Sequence, residues 1–159
     1  MTQPASAPEE PVVTPRLIAA FVALAAGMFM AILDIQIVAS SLAEIQAGLS
    51  ASSTEIAWVQ TSYLIAEIVM IPLSGFFSRA LSTRYVFAIA SGGFTLMSLM
   101  CATATSIEQM IVWRALQGFI GGAMIPTVFS AAFTAFPKNR QAMVSAMVGL
   151  IATLAPTIG

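Results

Sequence analysis

Five apolar stretches, each at or near bilayer-crossing length, constrain this chain more than any other feature. Crossing the hydrocarbon core takes about 20 helical residues. The stretches run approximately over residues 17–40, 56–77, 85–103, 107–136 and 141–159. The fourth is longer than one crossing needs, which implies tilt or projection beyond the core. Composition agrees: 58% of residues are hydrophobic, 8% are charged and the mean hydropathy is +0.92, where an ordinary soluble domain carries about 25% charged residues. Six Lys/Arg, seven Asp/Glu and no His are too few charges to wet a globule. The chain therefore reads as an all-α integral membrane protein with the lipid bilayer as its surroundings. A net charge of −1 offers no basic surface for nucleic acid. The lone Cys101 allows neither an internal disulfide nor a cysteine metal cluster. Without His there is no Ser–His or Cys–His pair, so no enzyme, metal site or cofactor is expected.

Residues 1–15 differ in kind. Pro4, Pro8, Pro11 and Pro15 with Glu9 and Glu10 describe a disordered tail, without the basic start and small-residue cleavage site of a signal peptide. Arg16, Arg79, Arg84, Lys138 and Arg140 all fall at one end of the spans, while Glu44, Glu55 and Glu108 fall at the other. The positive-inside rule makes the basic end, and with it the N-terminus, cytoplasmic. Trp58, Trp113 and Tyr85 stand at span ends, as interfacial aromatics do. Ser52–Glu55 and Thr105–Glu108 fit the S/T-x-x-E capping box, which accounts for both acids as helix caps.

Three ionisable residues fall inside spans: Asp34, Glu67 and Arg114. Each costs about 2.5–3.5 kcal/mol at a helix centre, so such residues usually face a bundle interior and mark ion or substrate paths. With a rise of about 1.5 Å per residue, Asp34 lies about 9 Å below the outer surface and Arg114 about 10 Å below it. Glu67 lies about 16 Å down, near the midplane. The matched depths predict that Asp34 and Arg114 face each other. Either the pair lines a polar cavity, with Asp34 gaining and losing a proton, or it only pins two helices together. Glu67 is a candidate for substrate or proton contact, or for a neutral helix contact. Gln117, one turn from Arg114, joins the candidate set, and Gln36 and Gln60 add polar groups nearby. Gly118 and Gly122 form a GxxxG that reads as a packing device. Pro72, Pro126 and Pro156 each permit a kink, and Cys101 reads as a small buried apolar residue.

These residues resemble a known family. Leu33-Asp34-Ile35-Gln36-Ile37-Val38 is similar to the first-helix motif L-D-x-T-I-V of the fourteen-helix drug/proton antiporter branch (EmrB/QacA-like) of the major facilitator superfamily, with Gln36 replacing Thr. Trp58 to Leu64, with Ile71-Pro72-Leu73-Ser74-Gly75, resembles its second helix. Gly75 to Arg84 occupies the loop motif G-x-L-a-D-r-x-G-r-r, with Arg79 in place of Asp and Ser82 in place of Gly. Arg114-Ala115-Leu116-Gln117-Gly118 resembles the fourth-helix motif R-x-x-q-G, and Leu154 to Gly159 resembles the opening of the fifth-helix antiporter motif.

The resemblance implies the first five transmembrane helices of a major facilitator fold, and hence a piece of a longer gene product. It assigns Asp34, Arg114, Glu67 and Gln117 to proton coupling and transport, and Gly75, Arg79 and Arg84 to a conformational-switch loop. Pro156 and Gly159 belong to the antiporter motif. The function implied is multi-pass export across the bacterial inner membrane, driven by the proton gradient without a cofactor. The cargo would be drugs or other small amphipathic or cationic compounds, with a periplasmic adaptor as partner. The alternatives are a metabolite or siderophore exporter of the same fold, and a non-transporting membrane subunit with a structural Asp–Arg pair.

Overall fold

The computed structural model describes residues 14–158; the tail through residue 13, and Gly159, lie outside the described residues. Five helical segments are long and apolar enough to cross a membrane. Helix α1 (Pro15–Ser40) starts with Pro15 in its first turn, where proline's missing N–H costs nothing, and Thr14 caps it. Helix α2 (Leu42–Gly48) is a short turn of helix that the hydropathy pattern does not announce. Helix α3 (Ser53–Leu81) and helix α4 (Thr83–Ala102) follow, then helix α5 (Ile107–Gly121), helix α6 (Met124–Ala135) and helix α7 (Lys138–Ile158).

The fourth span is thus two helices broken at Gly122–Ala123. The cause lies in the sequence: Pro126 has no N–H for the Gly122 carbonyl four residues back, and its ring crowds that oxygen. The kink expected at Pro126 becomes a break one turn earlier. Between α3 and α4 the expected switch loop is a one-residue joint, since α3 runs on past residue 77 to Leu81 and α4 opens at Thr83. Ser82 makes that joint with φ 68° and ψ 146°, a backbone region that strongly favours glycine. That is where the resembled motif carries Gly.

Caps follow the expected chemistry with one correction. Ser52 and Glu55 form the capping box, the Ser52 N–H donating to Glu55 Oε2 (2.8 Å) and the Glu55 N–H to Ser52 Oγ (3.3 Å). At α5 the box expected at Thr105–Glu108 shifts by one residue. Ser106 Oγ accepts from the Gln109 N–H and Gln109 Oε1 accepts from the Thr105 N–H. Gln109 reaches back as well as Glu108 would, so the S/T-x-x-E/Q pattern is available in two registers.

Three apolar clusters hold the helices together. Phe21 and Met28 of α1 meet Val128 and Ala132 of α6 and Val144 and Val148 of α7, and Phe21 meets Phe136 edge-on at 5.0 Å. Ala31, Tyr63, Val86, Ala90, Phe94 and Met124 join α1, α3, α4 and α6 at mid-height. Ile56, Val59 and Ile107 seal the acidic end of the bundle. The outward faces carry Ile65, Ile68, Phe76, Ile89 and Leu150 in the open. That arrangement suits hydrocarbon rather than water.

Candidate functional site: a bonded charge centre between α1, α3 and α5

Two glycines bring α5 onto α3. A Cβ on Gly118 would collide with the Tyr63 carbonyl, and one on Gly122 would lie 2.8 Å from the Glu67 carbonyl oxygen. The GxxxG is thus a packing device, as its pattern suggests. Backbone contact at these two levels sets Arg114, one turn above Gly118, against α1 and α3.

Arg114 is 1% exposed and Asp34 18% exposed, and Arg114 Nη1 donates to Asp34 Oδ2 at 2.5 Å. Gln117, three residues on and so on the same face of α5, ties the pair together. Its Oε1 accepts from Arg114 Nη1 at 2.8 Å and its Nε2 donates to Asp34 Oδ1 at 3.2 Å. Both carboxylate oxygens of Asp34 are therefore engaged, by a cation and by an amide. Charge-assisted bonds of this kind are about twice as strong as neutral ones. Asp34 is the more exposed member of the pair, and the guanidinium is buried.

Sequence reasoning missed two neighbours. Tyr63, fully buried, lays its ring under the guanidinium, 4.3 Å from ring centroid to Arg114 Cζ. A cation over a desolvated ring gains about 2 kcal/mol. The available signal was spacing: Tyr63 is one turn before Glu67 on α3. Cys101 of α4, read as apolar, points its thiol at Gln117 Oε1 (3.6 Å). It is half-buried rather than core.

The remaining candidates stand apart from this centre. Glu67 is half-buried on the Tyr63 face of α3 and makes no hydrogen bond or ion pair among the described residues. Gln60 donates to the Ile35 carbonyl beside Asp34 (3.5 Å). At the opposite end, Arg79 Nε donates to the Gly75 carbonyl within α3 (3.2 Å), and Arg84 is in the first turn of α4. Arg79 lines a cleft of about 370 Å³ with Ser74, Ser78, Thr83 and Ser130. Pro156 is exposed within α7, and Gly159 lies outside the described residues.

Comparison with known proteins places this geometry in a lineage. The Major Facilitator Superfamily profile matches residues 24–159. The "Colistin resistance protein EmrB" of Acinetobacter baumannii is 53% identical over 141 residues, covering 89% of this chain and 28% of the relative. The "Fatty acid resistance protein FarB" of Neisseria gonorrhoeae is 32% identical, covering 88% of this chain and 28% of the relative. The "Probable multidrug resistance protein EmrY" of Escherichia coli is 30% identical, covering 87% and 27%. The chain thus spans a little over a quarter of the length of these curated relatives. These matches point to a transporter rather than an enzyme. With its five apolar spans and a profile match over most of its length, the chain belongs to the Major Facilitator Superfamily.

Proposed function

We propose that this chain carries the proton-coupling centre of a secondary active exporter, a carrier that exchanges protons for small amphipathic or cationic compounds. The observation that bears most weight is the Asp34–Arg114–Gln117 network. A buried base holds an acid that retains access to its surroundings, and the acid's charge state decides whether the pair is neutral or carries a net positive charge. On this reading Asp34, the more exposed member of the pair, loads and unloads a proton as access alternates between the two sides of the membrane. Carriers of this superfamily work by rocking one half against the other around a midplane site, and the break at Gly122–Ala123 and the joint at Ser82 are places where such motion can be absorbed.

Activity belongs to the complete gene product. On this reading it resides in the bacterial inner membrane with its N-terminus in the cytoplasm, the basic ends of the helices facing inward. The resistance phenotypes named in its relatives support amphipathic cargo, and a periplasmic adaptor is the partner that the resemblance suggests. The test is dye accumulation in efflux-deficient cells expressing the complete gene. Accumulation should fall on expression and recover when an uncoupler collapses the proton gradient. Low accumulation that persists in the presence of uncoupler would refute proton coupling.

A further inference from the structure

The basic end of the bundle holds two adjoining clefts of opposite character. One, of about 440 Å³, lies between α1, α4 and α6. Its walls are largely small and apolar, Ala20, Leu24, Phe87, Ala88 and Ala131 among them, with Arg84 as the charged member of its lining. From Leu17 to Leu24 it follows α1 for about 10 Å. The other is the cleft of about 370 Å³ between α3, α4 and α6, lined by hydroxyls and Arg79. The two adjoin at Thr83 and Thr134, which line both.

The second cleft is rich in polar groups without partners. Ser74 and Thr134 donate their hydroxyls to the carbonyls of Ile71 and Ser130 within their own helices. Those of Ser78, Thr83 and Ser130 make no hydrogen bond among the described residues. Arg79 spends Nε on the Gly75 carbonyl, which leaves the two terminal nitrogens of its guanidinium for another acceptor. Neither Arg79 nor Arg84 has an acidic partner among the described residues. Helix α4 opens at Thr83 without a side-chain cap from Ser82, and the N–H groups of Thr83, Arg84 and Tyr85 find no acceptor among the described residues. Guanidinium, hydroxyls and first-turn amides can all donate, and a helix start favours negative charge.

We infer that the two clefts together bind one anionic phospholipid of the leaflet that meets this end, its phosphodiester seated among Arg79, Ser78, Thr83 and Ser130 and the upper part of an acyl chain lying along Ala20 and Ala88. Basic pockets between membrane helices hold headgroups through the same chemistry. A free phosphate leaves the alanine-lined cleft bare, and a hydrocarbon tail alone leaves the donors unmet; a phospholipid satisfies both. Bound there, the phosphodiester joins Arg79 of α3 to the first turn of α4 across Ser82, so the lipid braces the one-residue joint. The site does not depend on what the complete gene product exports.

The probe is phosphatidylglycerol, titrated into the purified complete gene product in detergent and counted as bound lipid by native mass spectrometry, with zwitterionic phosphatidylcholine as the comparison. Phosphatidylglycerol should bind more tightly than phosphatidylcholine, and Arg79→Gln should weaken it about fivefold, the worth of one basic side chain beside an anionic headgroup. Arg79 is exposed, so the substitution disturbs no core packing. Ala20→Leu combined with Ala88→Leu, which fills the apolar cleft from two exposed positions, should weaken phosphatidylglycerol as well. Arg140→Gln, at the same end but outside both linings, should change binding by less than about twofold. An equal loss from Arg140→Gln would reduce the effect to general attraction between basic residues and an anionic lipid, and overturns the site. Displacement of the lipid by millimolar glycerol phosphate, or indifference to the two leucines, makes this a site for a free anion and overturns the phospholipid. Equal binding of the two lipids, or a structure of the complete gene product with one of its other segments seated in the clefts, overturns the inference altogether.

Discussion

The two ends of this bundle treat charge in opposite ways. Towards the acidic end, Asp34, Arg114 and Gln117 are drawn from two helices into mutual hydrogen bonds, with the Arg114 guanidinium buried over the Tyr63 ring. At the basic end, Arg79 and Arg84 flank a one-residue joint and form no ion pair among the described residues. Charges at membrane depth must be satisfied by the protein itself, whereas charges at the interface are satisfied by water and headgroups. The first arrangement is stiff and chemically specific. The second leaves the α3–α4 joint without an ion pair among the described residues, its backbone strain concentrated in Ser82.

The largest effect that would break this contrast comes from Asp34→Ala, which leaves Arg114 buried and unpaired. Removing one member of a buried pair costs about 3–5 kcal/mol, so thermal unfolding of the detergent-solubilised protein should shift well below wild type. A shift no larger than that of a surface variant would show that the pair contributes little to stability. Next comes Gly118→Ala. The added methyl meets the Tyr63 backbone, and overpacking of this kind costs about 1–3 kcal/mol, again measured by thermal unfolding. At the other end the signs reverse. Ser82→Gly should raise stability by about 1 kcal/mol by relieving the positive φ. Gly75→Ala, at a position with nothing within 4 Å of the added carbon, should change stability by less than about 1 kcal/mol, towards gain. If Gly75→Ala were as damaging as Gly118→Ala, the two ends would not differ in packing as described.

Much of this is legible in the residues because lipid imposes simple rules. Span length, the clustering of basic residues at one end and the rise per residue suffice to put Asp34 and Arg114 at one level, and the structure bonds them. Gln117 follows from helical spacing alone. Tyr63 stays hidden because an aromatic in an apolar helix looks like any other core residue until its ring is seen under the guanidinium. The break falls at Gly122–Ala123 rather than at Pro126 because a proline disturbs the turn before it more than its own position. Helix α2 escapes notice since seven residues at an interface carry no long period to detect. The α3–α4 joint reads as a longer loop because Ser78 to Leu81 are neither apolar enough for a span nor rich in turn residues.

The central claim is that Asp34 carries the exchanged proton while Arg114 holds it in place. Proteoliposomes of the complete gene product, loaded with a cationic dye and subjected to an imposed pH gradient, test it most directly through Asp34→Asn. The account predicts that the variant, reconstituted from its monodisperse folded fraction, loses gradient-driven uphill transport. Uphill transport by Asp34→Asn at the wild-type rate would contradict it.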